Sequence, residues 1–128
     1  MRLRDQHISP HFRWREFEDR HTGKAVPIEC RPGVRRLCEE VLEPMRAKLG
    51  PCHVWSGYRT EATNRAVGGA PRSHHVYTWW PDSPAADVSF QGQPPHEAAA
   101  VAEELGVGGL GQYLTHIHVD QRPGKVRW

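Results

Sequence analysis

Cysteine is scarce in this chain: Cys30, Cys38 and Cys52 are all it has. The number is odd and no two stand in a CxxC spacing, so neither a disulfide framework nor a structural cluster of zinc thiolates fits. Buried free thiols remain as the reading. No apolar run is long enough to span a membrane. The opening MRLRDQHISP carries charge but no apolar core, so it does not read as a secretory signal. Nor does one sign of charge dominate. Seventeen Lys and Arg stand against 15 Asp and Glu, a formal net charge of +2, which is too little to argue for nucleic acid as a partner. There is no internal repeat and no low-complexity tract.

What is present points to one folded domain over residues 1–128. The length allows a single core, and 38% hydrophobic residues with five Trp argue against disorder. Eleven Pro and twelve Gly predict short elements joined by loops. Ser9 and Pro10 stand in a helix-start arrangement, followed by Phe12, Trp14 and Phe17 as packing anchors. Residues 18–31 read as a polar loop. From Pro32, the positions Val34, Leu37, Cys38, Val41, Leu42, Met45 and Leu49 form one apolar stripe of helical period, closed by Gly50 and Pro51. CHVWSGY reads as a strand running into a turn, and RTEATNRAV as two helical turns before Gly68 and Gly69. Residues 70–84 read as an irregular loop, with Trp79 and Trp80 free to line a groove or to cap the core. AADVSF reads as a strand. Pro94 and Pro95 open a second helix with Ala98, Val101, Ala102 and Leu105 on one face, stopped by Gly106. GGLGQY and HIHVDQR read as a closing pair of strands. Strands scattered among helices without regular alternation predict an α+β fold with a small antiparallel sheet and flanking helices.

Histidine is the residue with unspent chemistry. THIHVDQRP places His116, His118 and Asp120 on alternate positions, hence on one face of a strand. A buried face of that composition needs a partner for its polar groups, and a catalytic zinc, which takes three protein ligands and leaves a fourth position open, is one such partner. PRSHHVY adds His74 and His75. Either motif alone is also what an exposed polar segment would show.

The two motifs belong to a longer pattern. SGYR at 56–59, Asn64, GGA at 68–70, SHH at 73–75, AAD at 85–87 and HVD at 118–120 follow one another in order. Together they resemble the zinc D-Ala-D-Ala peptidases and related murein endopeptidases, which share a fold with lysostaphin-type peptidases and the hedgehog signalling domain. HFRWREF and VLEPMRAKLGP resemble the N-terminal half of that family, so the resemblance covers nearly the whole chain. It implies a single-domain, monomeric zinc peptidase acting on peptidoglycan peptides, with one Zn2+ per chain held by His75, Asp87 and His118. His74 is then a neighbour of the site and not a ligand. Arg59 would meet a substrate carbonyl oxygen or terminal carboxylate, a task suited to a permanently charged, forked donor, or else hold its loop by a salt bridge. Ser73 would bond either the substrate or the ligand loop. Asn64 reads as a turn residue.

The chain departs from the family pattern in two places. His75 and Asp87 are twelve apart where seven is usual, the extra residues falling in TWWPDS; Asp82 has the usual spacing but lacks the strand context of AADV. Thr115 stands where many relatives carry an acidic base. His116 is the candidate to replace that base, by accepting and returning a proton near neutral pH, or it only orients a ligand. Asp120 is expected to support His118 from behind, in preference to a surface pair with Arg122. The alternative to a peptidase is a zinc-binding module of the same fold that no longer cleaves, used for recognition or structure. Peptidoglycan lies outside the cytoplasmic membrane. A chain without a signal therefore fits a phage lysis enzyme released through a holin, a component of a phage particle, or a domain of a longer protein.

Overall fold

A computed structural model describes all of residues 1–128. Strands β1 (His7–Ser9) and β2 (Phe12–Arg13) form a short hairpin, followed by a 3₁₀ turn at Trp14–Phe17. The expected helix start at Ser9 and Pro10 is therefore a hairpin turn. The fixed φ of Pro suits the second position of a turn as well as the first of a helix, and Ser9 Oγ is engaged by Glu43 Oε2 at 2.6 Å instead of capping a helix.

The long apolar stripe does form a helical rod, with an interruption. Helix α1 (Arg31–Leu37) passes through a π-helical turn at Cys38–Leu42 into α2 (Glu43–Leu49). Pro44 explains the wide turn. It has no N–H for the carbonyl four residues back and its ring crowds that carbonyl, so the ladder loosens and Glu43 N bonds to Cys38 O. The stripe itself is core: Val34, Leu37, Cys38, Leu42 and Met45 are fully buried. Cys30 and Cys38 are buried free thiols and Cys52 is half-buried.

The rod packs against a sheet with strand order β3-β4-β6-β5-β7. Its strands are β3 (Cys52–Ser56), β4 (Ala86–Phe90), β5 (Gly109–Gln112), β6 (Ile117–Asp120) and β7 (Val126–Arg127). The pairings are antiparallel except β5 with β7, a parallel edge that the strand pattern did not disclose. Helices α3 (Glu61–Ala66) and α4 (Pro95–Glu104) complete the α+β fold. Ala98 and Ala102 of α4 are buried as expected, whereas Leu105 lies past the helix and is exposed. No helix is long and apolar enough to cross a membrane.

Two contacts fix the segment that carries the site. Tyr58 N donates to Phe17 O at 3.0 Å, and Gly57 lies so close to Phe17 that a Cβ would sit 2.9 Å from its Cα. The carboxylate of Asp19, 1% exposed, accepts from the backbone N–H groups of His21, Thr22 and Thr60 at 2.8–2.9 Å. Burial pushes its pKa up, but these bonds and the Thr63 hydroxyl outweigh burial and hold it at about 2. Thr60 in turn caps α3, its hydroxyl accepting from Thr63 N at 3.0 Å.

Candidate metal centre

Alternation along two neighbouring strands builds the floor of the site. On β6, Ile117 and Val119 point into the core, which sends His118 and Asp120 to the other face. On β4, Ala86, Val88 and Phe90 are core and Asp87 takes the opposite side. Asp87 and His118 are register partners across β4 and β6. His75 comes from the loop after α3. That loop is tied to the SGYR turn by Arg59 N donating to His75 O at 2.8 Å, and Ser73 Oγ accepts from His75 N at 3.1 Å.

The three side chains converge. His75 Nε2 lies 3.1 Å and His118 Nδ1 3.4 Å from Asp87 Oδ1, and one ligand atom from each residue falls within 4.8 Å of the others. Ligand atoms about 3.3 Å apart are what a tetrahedron of 2.0–2.1 Å bonds requires. The tautomers are set from outside the cluster. His75 Nδ1 donates to Gly57 O at 2.8 Å, leaving the Nε2 lone pair facing Asp87. His118 Nε2 donates to Asp120 Oδ2 at 2.7 Å, leaving Nδ1 facing Asp87. Although His75 Nε2 is close to Asp87, it makes no hydrogen bond and is fully buried. A buried polar atom without a partner is costly, and a cation between the three side chains would satisfy it. The donor set, two neutral imidazoles and a carboxylate, suits zinc.

The electrostatics suit a cation too. Burial holds the pKa of His75 below its ordinary value, against the pull of Asp87; a ligating imidazole must be neutral. Asp87 resists the upward push of burial because His75 and His118 hold it well below the carboxylate range. His118 is raised: burial lowers it, but Asp120 and Asp87 outweigh burial. Asp120 is fully buried and held well below its usual value by Arg122 and His118.

The Peptidase M15 family model matches residues 10–120. The chain belongs to this family. M15 peptidases are zinc-dependent, and the group His75, Asp87 and His118 could hold the ion. No curated protein is similar enough to this chain to match it.

Around the three side chains of this M15 member opens a cleft of about 840 Å³, lined among others by Arg59, Arg72, Ser73, Tyr113, His116 and Trp128. Arg59 reaches it with NH2 3.7 Å from Asp87 Oδ2 while NH1 donates to Asn64 Oδ1 at 3.3 Å. Asn64 also donates to Ala70 O at 2.9 Å, so it holds both the guanidinium and the GGA turn. Ser73 bonds the ligand loop. His116 stands just ahead of β6, half-buried, with Nδ1 3.1 Å from Thr115 Oγ1.

Asp82 is not near the cluster. Its side chain is 96% exposed and lies 3.7 Å from Arg36. His74 lines the cleft but is not one of the three converging side chains; it donates to Ser83 O at 2.9 Å and stacks on Trp80 at 4.2 Å. Neither Trp79 nor Trp80 lines the cleft, so the groove-lining option for them falls. The expectation against a pair of Arg122 with Asp120 is also corrected. Arg122 Nε and NH2 bond Asp120 Oδ1 and Oδ2 at 2.8 and 2.6 Å. Residues two apart share a strand face, so Arg122 falls on the side of His118 and Asp120 and not opposite them. Tyr113, Arg122 and Trp128 are cleft residues that sequence reasoning missed. Only the register of β5 with β7 brings Trp128 there, and no local motif announces that pairing.

Proposed function

We propose that this M15 chain is a zinc peptidase that hydrolyses a peptide bond in peptidoglycan stem peptides or their cross-links. The observation that carries this reading is the buried, unpartnered Nε2 of His75 beside Asp87 and His118 on the floor of a cleft wide enough for a peptide. His75 Nε2, an Asp87 oxygen and His118 Nδ1 would hold the ion. Bound there, zinc supplies a hydroxide-like nucleophile near neutral pH and a Lewis acid for the peptide carbonyl.

The chain's own groups do the rest. Arg59, steadied by Asn64, offers fixed N–H donors to the oxygen that gains charge as the carbonyl is attacked, or to a terminal carboxylate of the peptide. His116 carries the proton. With Nδ1 bonded to Thr115 Oγ1, its Nε2 is left to accept a proton from the attacking water and return it to the leaving amine. Ser73 holds the His75 loop and offers its hydroxyl to the peptide backbone. Asp120 and Gly57 O keep the two imidazoles in ligating tautomers.

The test is turnover of purified muropeptides by zinc-loaded protein, with metal content measured in parallel. One equivalent of zinc is expected. His116→Ala should keep it while hydrolysis falls by roughly 10²- to 10⁴-fold. Full activity in that variant would place the base elsewhere. Zinc binding with no hydrolysis of any stem or cross-linked peptide would favour the non-cleaving module, the reading that Thr115 at the usual place of an acidic base supports.

A further inference from the structure

Strand β7 carries Trp128 across the sheet edge and over the cleft. The backbone is fixed on both sides: Trp128 N donates to Leu110 O at 3.1 Å, and Gln112 N donates to Trp128 O at 2.8 Å. The indole occupies the space left by Gly111, where a Cβ would lie 2.4 Å from Nε1. Gly111 is the register partner of His118, so the indole comes to rest against the His118 ring, centroids 4.8 Å apart. Arg122 covers it from another side at 5.3 Å. From this seat Trp128 Nε1 donates to Tyr113 Oη at 2.7 Å, and the Tyr113 ring lies flat on the His116 imidazole, 4.7 Å away and inclined by 10°.

This order is unusual for where it sits. Tyr113 and Trp128 are 43% and 47% exposed, so neither is held by burial in the core. His116 precedes β6, and its only backbone tie to this turn is Tyr113 N donating to His116 O at 2.9 Å. Its ring is placed by two things: the bond to Thr115 and the face of Tyr113. The face of Tyr113 is in turn placed by the indole N–H. We propose that Trp128 and Tyr113 are positioning residues. Seated by the missing side chain of Gly111, they fix the His116 imidazole in the cleft. The proposal rests on the peptidase reading for its consequence in turnover, since a misplaced proton carrier loses rate steeply with distance, but the positioning itself is a property of the metal-free chain.

The experiment therefore has two arms. In zinc-free protein, the ring protons of His116 should resonate upfield under the Tyr113 face. Trp128→Phe and Tyr113→Phe, each of which removes the same hydrogen bond, should shift that resonance alike. Gly111→Ala, which displaces the indole with both aromatic residues intact, should shift it too. In zinc-loaded protein, each of the two Phe variants should lower kcat by roughly 10-fold, with KM and zinc content unchanged. The double variant should be no worse than either single one, because one shared bond is lost once. An unmoved His116 resonance, or additive losses in the double variant, would overturn the proposal. A raised KM with unchanged kcat would also do so, by making the pair a substrate-binding surface. If the wild type hydrolyses no muropeptide, the peptidase reading fails, and the zinc-free arm still decides whether the pair positions His116.

Discussion

Asp120→Asn should perturb both the metal site and the fold by changing a single atom. The wild-type carboxylate is fully buried and accepts five hydrogen bonds. Oδ1 takes Gly109 N at 3.1 Å, Arg122 N at 3.0 Å and Arg122 Nε at 2.8 Å; Oδ2 takes His118 Nε2 at 2.7 Å and Arg122 NH2 at 2.6 Å. An amide can keep only one accepting end. Keeping oxygen at the Oδ1 position loses the fewest bonds, and it turns an NH2 group toward His118 Nε2. Two N–H groups cannot face each other, so the imidazole must move its proton to Nδ1, the atom that faces Asp87. Zinc would then have to displace that proton and bind a ring with no acceptor behind it. Changes to such supporting partners cost roughly 10- to 100-fold in metal affinity, about 1.4–2.8 kcal/mol. The buried charge on Asp120 also offsets Arg122, and its loss should destabilise the zinc-free protein by about 3 kcal/mol. Competition against a chromophoric chelator measures the first effect and urea unfolding of zinc-free protein the second. A folded variant with wild-type zinc affinity would refute the idea that Asp120 sets the His118 tautomer.

Three further outcomes follow from the same contacts. Asp87→Ala should lose zinc and Asp82→Ala should keep it, as metal analysis after dialysis would reveal; the reverse would mean that the loop after His75 is wrongly placed. The depressed Asp19 carboxylate contributes stability above its unfolded pKa near 3.8, and that stability is lost as pH falls toward the folded value of about 2. The span corresponds to about 2 kcal/mol. Asp19→Asn should therefore be less stable than wild type by that amount at pH 7, with the gap closing near pH 2 in parallel urea titrations. Gly57→Ala should cost about 1–3 kcal/mol by forcing Phe17 away, and should weaken zinc binding by moving the carbonyl that holds His75; thermal unfolding with and without zinc reads both.

Much of the site was legible along the chain because its parts are local. SGYR, the GGA turn, Ser73 with His75, AAD and HVD each fit within a few residues, and side-chain alternation on β4 and β6 follows from the core positions Val88, Ile117 and Val119. The apolar stripe from Val34 to Leu49 was legible for the same reason, since helical period is a local property. Misreadings came where a residue serves two geometries: Pro10 suits a turn as well as a helix start, and Pro44 permits a helix only with a widened turn. Tertiary structure alone decided the rest. The two-pronged grip of Arg122 on Asp120 forms just past the end of β6, where only the folded backbone fixes how the guanidinium approaches. The carbonyl of Gly57 has no side chain to announce that it orients His75. The parallel pairing of β5 with β7 joins residues 17 apart, Gly109 and Val126, through backbone hydrogen bonds that no side-chain pattern encodes. Through that pairing Trp128 comes to lie against His118, a contact fixed by strand register and by the space above Gly111.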